Sequence, residues 1–340
     1  MTGLNLSTRT VKSCGLSLPT LGFGGAALGG LFSAVDHAAS QATLSSAFDA
    51  GLTYIDTAPF YGFGRSERLV GDMLRGKGYS LSTKVGRLLR PGALPNPADM
   101  GWPDALPFHP EYDYTYDGIM RSFEDSQQRL GLDRIDILYV HDIGEVTHGA
   151  NNKRHFEDLK SDGHRALEEL RNSGVIKAIG LGVNEAEVCR QALNIGDWDV
   201  FLLAGRYTLL EQGPLDDLFP ECEAAGTSIV IGGPYNSGIL VGGNTWDYGA
   251  IPPDVRARVD ALKQVSAEFD VPLPAAALQF PLGHLAVTSV IPGLRSIEEL
   301  DATLNWAGAT IPPEYWVALK SQGLLHENAP LPAGNPFKKD

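Results

Sequence analysis

Basic residues are scarce: 27 Lys and Arg face 41 Asp and Glu, for a formal charge of −14, and no basic run exceeds two residues. Such a chain repels phosphate backbones and anionic lipid, which argues against nucleic-acid or membrane-surface partners. Cysteine is nearly absent. Cys14, Cys189 and Cys222 lie far apart without paired metal-ligand spacing, so structural thiols are expected and no metal site. G-x-S-x-G and H-E-x-x-H patterns are missing, which weighs against a serine hydrolase or a zinc peptidase. No uninterrupted apolar stretch approaches the roughly 18 residues of a membrane span. The start, Met1-Thr-Gly-Leu-Asn-Leu-Ser, has neither the basic region nor the apolar run of a secretory signal, so a cytoplasmic location is expected.

What remains is 43% hydrophobic residues spread over 340 positions, enough for a large core. Short β-branched or aliphatic runs alternate with stretches of helical spacing, the pattern of parallel β-α-β units. Eight strands are expected, at 20–25, 53–57, 80–85, 135–141, 178–183, 200–204, 228–233 and 288–292. Helices are expected between them: one capped by Ser40 with Leu44, Ala47 and Phe48 on one face, others at 66–74 and around Ile119, Phe123 and Leu130, and two, 257–269 and 274–282, before the last strand. The fold class implied is α/β, a single (β/α)8 barrel domain over 1–340. Arg9-Thr-Val, the Cys14-Gly15 turn and Ser17-Leu-Pro suggest a hairpin plugging its lower end. Segments 86–112 and 143–160 read as long irregular loops, placed after strands where a barrel keeps its active site. The Pro- and Gly-rich stretch 330–337 reads as either a mobile flap or a frayed tail.

Asp56, Lys84 and His141 each fall at the C-terminal end of an expected strand, and in a barrel those ends converge on one mouth. Tyr61 follows Asp56 by five residues, within reach of the same opening. Singly, each has an ordinary explanation: a helix cap, a solvated lysine, a buried imidazole, an interface aromatic. Gly22-Phe-Gly-Gly-Ala-Ala27 matches a loose dinucleotide fingerprint, but Gly29-Gly30 continue the loop where a phosphate-binding helix would begin.

Asp56-Thr-Ala-Pro-Phe-Tyr-Gly with Ser66-Glu67, Ser82-Thr-Lys-Val, Asp136-Ile-Leu-Tyr-Val-His and Val290-Ile-Pro-Gly resemble, in order and across nearly the whole chain, the signatures of the aldo-keto reductase family. The resemblance implies a nicotinamide-dependent oxidoreductase with Asp56, Tyr61, Lys84 and His141 as its catalytic tetrad. A free phenol, with a pKa of about 10, transfers protons poorly near neutrality. Lys84 would lower it, Asp56 would compensate Lys84, and His141 would donate to the reacting oxygen.

The resemblance also implies cofactor contacts from Gly24, Gly232, Gly233, Tyr235, Asn236, Ser237, Gly238, Pro292, Gly293, Arg295 and Glu299. Gly232 stands where relatives place an aromatic against nicotinamide, and Ala204 where they place a carboxamide-binding Gln. Asn184 could replace that Gln, or could cap a helix. After the last strand, Gly293, Leu294 and Glu299 replace the basic set of NADP-preferring relatives, and a carboxylate favours a ribose hydroxyl over a phosphate. NAD is expected, with Arg295 leaving NADP open. Gly-Val-Asn184-Glu, the 203–211 segment and Gly-Gly-Pro-Tyr-Asn-Ser-Gly are similar to the branch of L-fucose and D-threo-aldose 1-dehydrogenases and of pyridoxal 4-dehydrogenases. This implies oxidation of an aldose hemiacetal hydroxyl to a lactone, with pyridoxal as the alternative small-molecule substrate and Trp102, Tyr112, Asp142, Arg206 and Tyr235 lining the pocket. An NADPH-dependent aldehyde or ketone reductase and a non-enzymatic redox-sensing subunit are the other readings; the intact tetrad weighs against the second.

Overall fold

The apolar runs are buried at nearly every position in the computed structural model, which describes residues 5–339. The chain opens with an antiparallel hairpin of β1 (Thr8–Thr10) and β2 (Ser17–Pro19). The next two strands are β3 (Phe23–Gly24) and β4 (Tyr54–Asp56), followed by β5 (Ser80–Val85). A second ribbon pairs β6 (Arg87–Pro91) with β7 (Phe108–Tyr112). The remaining strands are β8 (Ile137–His141), β9 (Ala178–Val183), β10 (Val200–Ala204), β11 (Ser228–Gly232) and β12 (Val287–Ile291).

Strands β3, β4, β5, β8, β9, β10, β11 and β12 form one parallel sheet in that order. The sheet closes on itself: Gly24 N donates to Pro292 O at 2.9 Å, Gly22 N to Val290 O at 3.0 Å and Val290 N to Thr20 O at 2.8 Å. The fold is a (β/α)8 barrel, with all eight expected strands in place. Gly24 makes the seam possible, because a Cβ there would meet Ile291 O at 3.1 Å and Pro292 O at 3.2 Å.

Side chains alternate across each strand. Tyr54, Ile137, Tyr139, Ala178, Val200, Leu202, Val230 and Ile291 fill the interior, together with Val11, Leu16 and Leu18 of the hairpin. Ile55, Leu81, Val85, Leu138, Val140, Leu181 and Leu203 face the surrounding helices, in the larger core. Each such aliphatic side chain stabilises the fold by roughly 1.5–3 kcal/mol. The hairpin plugs the lower end as expected: Ser13 Oγ donates to Asp199 Oδ1 at 2.6 Å, and Arg9 donates to the carbonyls of Leu282, His284 and Val287.

Several expectations change. The first helix spans His37–Asp49 and is capped by Asp36, whose carboxylate accepts from Ala39 N at 2.8 Å; Ser40 lies inside it, buried. The 86–112 segment is irregular only between its ends, 92–107; the flanking β6–β7 ribbon tolerates Pro91 and Pro110 where a central strand would not. The 143–160 segment is largely helical, with Glu145–His148 and Asn152–Asp158 leading into His164–Asn172. The C-terminal stretch is neither flap nor frayed end. Phe337 is fully buried, its carbonyl accepts from Ser7 N, and Asn335 Nδ2 donates to Ala307 O and Ala309 O, which fastens the tail beside the hairpin, at the end opposite the mouth. Among the described residues no helix is long and apolar enough to cross a membrane, and no cluster of His, Cys, Asp and Glu could hold a metal ion.

Candidate active site

The alternation that turns Tyr54 and Tyr139 inward also turns Asp56, Ser82, Lys84 and His141 inward, two residues further up their strands. Lys84 Nζ is the hub, donating to Asp56 Oδ2 at 2.6 Å, Tyr61 Oη at 3.0 Å and Thr57 O at 3.0 Å. Ser82 Oγ donates to the other carboxylate oxygen, Asp56 Oδ1, at 2.7 Å, and stands 3.1 Å from Tyr54 Oη. All three donors of the ammonium therefore have protein acceptors, and Lys84 is buried. The Tyr61 ring meets the His141 ring edge-on, with centroids 5.8 Å apart.

Outside the barrel, Thr83 Oγ1 donates to buried Glu67 Oε1, and Arg129 pairs with Glu67 Oε2. Ser66 Oγ donates to Gly25 O at 2.8 Å. The Ser66-Glu67 signature is thus scaffold: it clamps the helix Arg65–Leu74 to β5 and to the first loop.

Electrostatics departs from the sequence argument. Burial pushes the Tyr61 phenol well above its usual range, Asp56 and Asp142 add to this, and Arg87 opposes it. Tyr61 therefore carries its proton at neutral pH, and its Oη accepts a hydrogen bond from Lys84 Nζ. Burial also raises Asp56, against the pull of Lys84. His141 is held well below its usual value by burial, then by Arg87 and Lys84, so its imidazole is neutral. The site presents a protonated phenol and a neutral imidazole side by side, suited to proton exchange at one substrate oxygen.

Residues 20–322 match the family model for the aldo/keto reductase family. The chain belongs to that family. It is 46% identical to a pyridoxal 4-dehydrogenase of Microbacterium luteolum, over 93% of this chain and 97% of that protein. It is 39% identical to a D-threo-aldose 1-dehydrogenase of a Pseudomonas species, over 92% and 96%. An aldo-keto reductase of Bacillus halodurans, solved in its holo form, superposes with a TM-score of 0.73 at 24% identity, covering 95% of this chain and 97% of the other. The protein is accordingly an oxidoreductase, and enzymes of this family use nicotinamide cofactors.

The loop after β11 carries several of the residues expected to contact a cofactor. Gly233, Asn236, Ser237 and Gly238 all have positive φ, at 56°, 47°, 57° and 97°. The amides of Asn236 and Gly238 donate within the loop, to Gly233 O at 3.1 Å and Tyr235 O at 3.0 Å. Asn236 Oδ1 is buried without a partner. At the helix after β12, Ile297–Gly308, Ser296 Oγ accepts from Glu299 N, and Glu299 Oε2 accepts from Arg295 N at 2.8 Å. Arg295 reaches across to Ser33 Oγ and Leu31 O at 3.1 and 3.0 Å, so its fork already binds the first loop. Pro292 and Gly293 belong to the barrel seam.

Other expected residues divide. Trp102 is buried against Tyr61 at 5.7 Å, and its Nε1 has no partner; Asp142 adjoins His141. Tyr112 instead packs on His148 at 4.7 Å, with Arg87 over its ring. Tyr235 turns toward Trp306, away from the tetrad. Arg206 is tied to Asp247, to Asn184 O at 2.7 Å and to Glu211. Asn184 does not cap a helix: Glu185 holds the N-cap position of Ala186–Leu193 and gives no side-chain cap bond. Gly232 leaves little space, since a Cβ would meet Leu202 Cδ2 at 3.2 Å.

Three neighbours escaped the sequence reading. Phe60 stands between Trp102 and His141 at 5.6 and 6.1 Å, and Arg87 lies 4.1 Å over its ring. Tyr114 Oη donates to His141 O at 2.8 Å and sits 2.9 Å from His148 Nε2. Arg87, three residues past Lys84 at the rim end of a strand, carried a signal in its position; the aromatic residues carried none.

Proposed function

We propose that this enzyme oxidises a cyclic hemiacetal hydroxyl to a lactone with NAD, through Tyr61, Lys84, Asp56 and His141. The observation that carries the reading is the hydrogen-bonded chain Asp56–Lys84–Tyr61 with His141 across the mouth. When bound, the nicotinamide accepts the hydride from the hemiacetal carbon. The hydroxyl proton leaves to the Tyr61 phenolate, whose own proton has passed to solvent as pH rises; Lys84 stabilises that phenolate, and Asp56 balances Lys84. His141 orients the reacting oxygen by a hydrogen bond. The loop of Asn236, Ser237 and Gly238 would border the bound cofactor, and Glu299 would meet its adenosine ribose.

Among lactols, the walls favour the hemiacetal of pyridoxal. Arg206, Tyr112 and Tyr235, expected to line the pocket, are engaged elsewhere, while Phe60, Tyr61 and Trp102 surround His141 with aromatic side chains. The 46% identity to a pyridoxal 4-dehydrogenase agrees. The second reading, an aldose lactol, is supported by the 39% identity to an aldose 1-dehydrogenase.

The test measures NADH formation from pyridoxal, L-fucose, L-galactose and D-arabinose, with wild type and Tyr61→Phe. Pyridoxal should give the highest kcat/KM, and the variant should lose most turnover while still binding NAD. Faster oxidation of any sugar hands preference to the second reading. Reduction of simple aldehydes with NADPH faster than oxidation of every lactol overturns both, and near-normal turnover in Tyr61→Phe overturns the tetrad.

A further inference from the structure

Arg87 begins β6, outside the tetrad, yet its side chain is only 3% exposed. The guanidinium is fixed over the ring of Phe60 and donates from Nη2 to Asp142 Oδ2 at 2.6 Å. Asp142 sits in the left-handed region at φ 42°, unusual for a residue with a side chain, and its amide donates to Gly182 O at 3.0 Å. That turn brings the same Oδ2 within 3.4 Å of His141 Nε2. On the other side of the ring, Nδ1 is buried and faces no partner.

A neutral imidazole has one proton and two nitrogens to hold it. A carboxylate facing Nε2, with nothing facing Nδ1, selects the Nε2–H form. At 3.4 Å the contact is longer than a full hydrogen bond, so this N–H remains open to an oxygen entering the mouth. A carboxylate alone in that position would also draw a second proton onto the ring and end its use as a neutral donor. Arg87, bound to the same oxygen, offsets that attraction.

We propose that Arg87 and Asp142 are positioning residues for His141: Asp142 fixes the Nε2–H tautomer, and Arg87 balances the carboxylate so that the ring stays uncharged. The proposal rests on His141 acting in the tetrad. The groups around the ring are Lys84 and Tyr61 across the mouth, Arg87 from β6, Asp142 from its own loop, and Tyr114 with His148 at its backbone carbonyl. Two of them are cations, and both oppose a proton on His141.

The experiment records two-bond proton–nitrogen correlation spectra of the full chain labelled at histidine nitrogens, between pH 8 and 5, with His141 assigned by loss of its signals in His141→Gln. Wild type should show His141 as the neutral Nε2–H form throughout. In Arg87→Met the ring should take up a proton at higher pH, its affinity rising about tenfold or more. An acid limb should then appear in kcat with KM little changed, and Arg87→Lys should move it back. Asp142→Asn, which offers an amide donor to Nε2 in the same shape, should bring out the Nδ1–H form. Unchanged tautomer in Asp142→Asn together with a wild-type proton affinity in Arg87→Met overturns the proposal. The spectra report the ring itself, so they decide this question even if Tyr61→Phe remains active and the tetrad reading falls.

Discussion

Gly29 presses its bare α-carbon against the main chain of Tyr61: a Cβ there would lie 2.5 Å from the Tyr61 carbonyl carbon and 2.7 Å from Gly62 N. Gly62 returns the contact at φ 63°, where a Cβ would meet Gly29 O at 2.4 Å. The first loop therefore serves as the seat of Tyr61. Gly29→Ala should displace the phenol and lower kcat by about 10²-fold, the scale of a 1 Å misplacement, while leaving the cofactor loop after β11 unaltered. Steady-state kinetics with a dinucleotide titration checks this; wild-type kcat would mean that the loop yields without moving Tyr61.

Lys84 and Asp56 are 3% exposed or less at 2.6 Å separation. Removing one partner strands a buried charge, which destabilises by about 3–5 kcal/mol. Denaturant unfolding should show a loss of that order in Asp56→Asn. The double variant Asp56→Asn/Lys84→Met should recover most of the stability and none of the turnover. If the double variant is as unstable as the single one, the loss lies in packing rather than in charge.

Burial holds the Tyr61 proton well above the usual phenol value of about 10. Aldehyde reduction needs the phenol protonated, so its kcat/KM should stay flat through neutrality and fall only in strong alkali. Lactol oxidation needs the proton gone, so its rate should climb as pH rises. Opposite slopes for the two directions in pH–rate profiles are the expected result; parallel slopes would remove Tyr61 as the acid–base.

Stability should depend on pH through the histidines. His141, His148, His155, His164 and His284 are all held below their ordinary value, in each case first by burial, and His148 falls to about 4. Their folded values lie below the unfolded value of about 6.5, so below that pH the unfolded chain binds protons that the native chain does not. These groups impose no penalty above about 6.5, and stability declines as pH falls from there, for His148 down to about 4. Calorimetric melting between pH 7.5 and 5 should show a falling Tm, and a flat profile would contradict the buried neutral imidazoles.

For the cofactor, Glu299 and the engagement of Arg295 with Ser33 and Leu31 both oppose a 2′-phosphate. NAD should bind more tightly than NADP by roughly 1–3 kcal/mol, and Glu299→Ala should narrow the gap. Tighter NADP binding in a direct titration would mean that Arg295 leaves the first loop to clamp phosphate.

The barrel was legible in the sequence because parallel strands buried on both faces leave continuous apolar runs, and alternation within them fixes which side chains turn inward. The clustering of Asp56, Lys84 and His141 was legible for the same reason: they mark strand ends, and strand ends meet. What the sequence could not decide was set by contacts between distant loops. Pro91 and Pro110 look like loop residues until their ribbon pairs at a sheet edge, and Phe337 looks like a frayed end until a pocket beside the hairpin receives it. Whether Arg206 or Asp142 faces a substrate depends on Asp247 and Arg87 respectively, partners no local pattern specifies. The protonation of Tyr61 is likewise tertiary: adjacency to Lys84 argues for a lowered phenol, but burial raises it, and Asp56 and Asp142, brought close by the barrel, raise it further against Arg87.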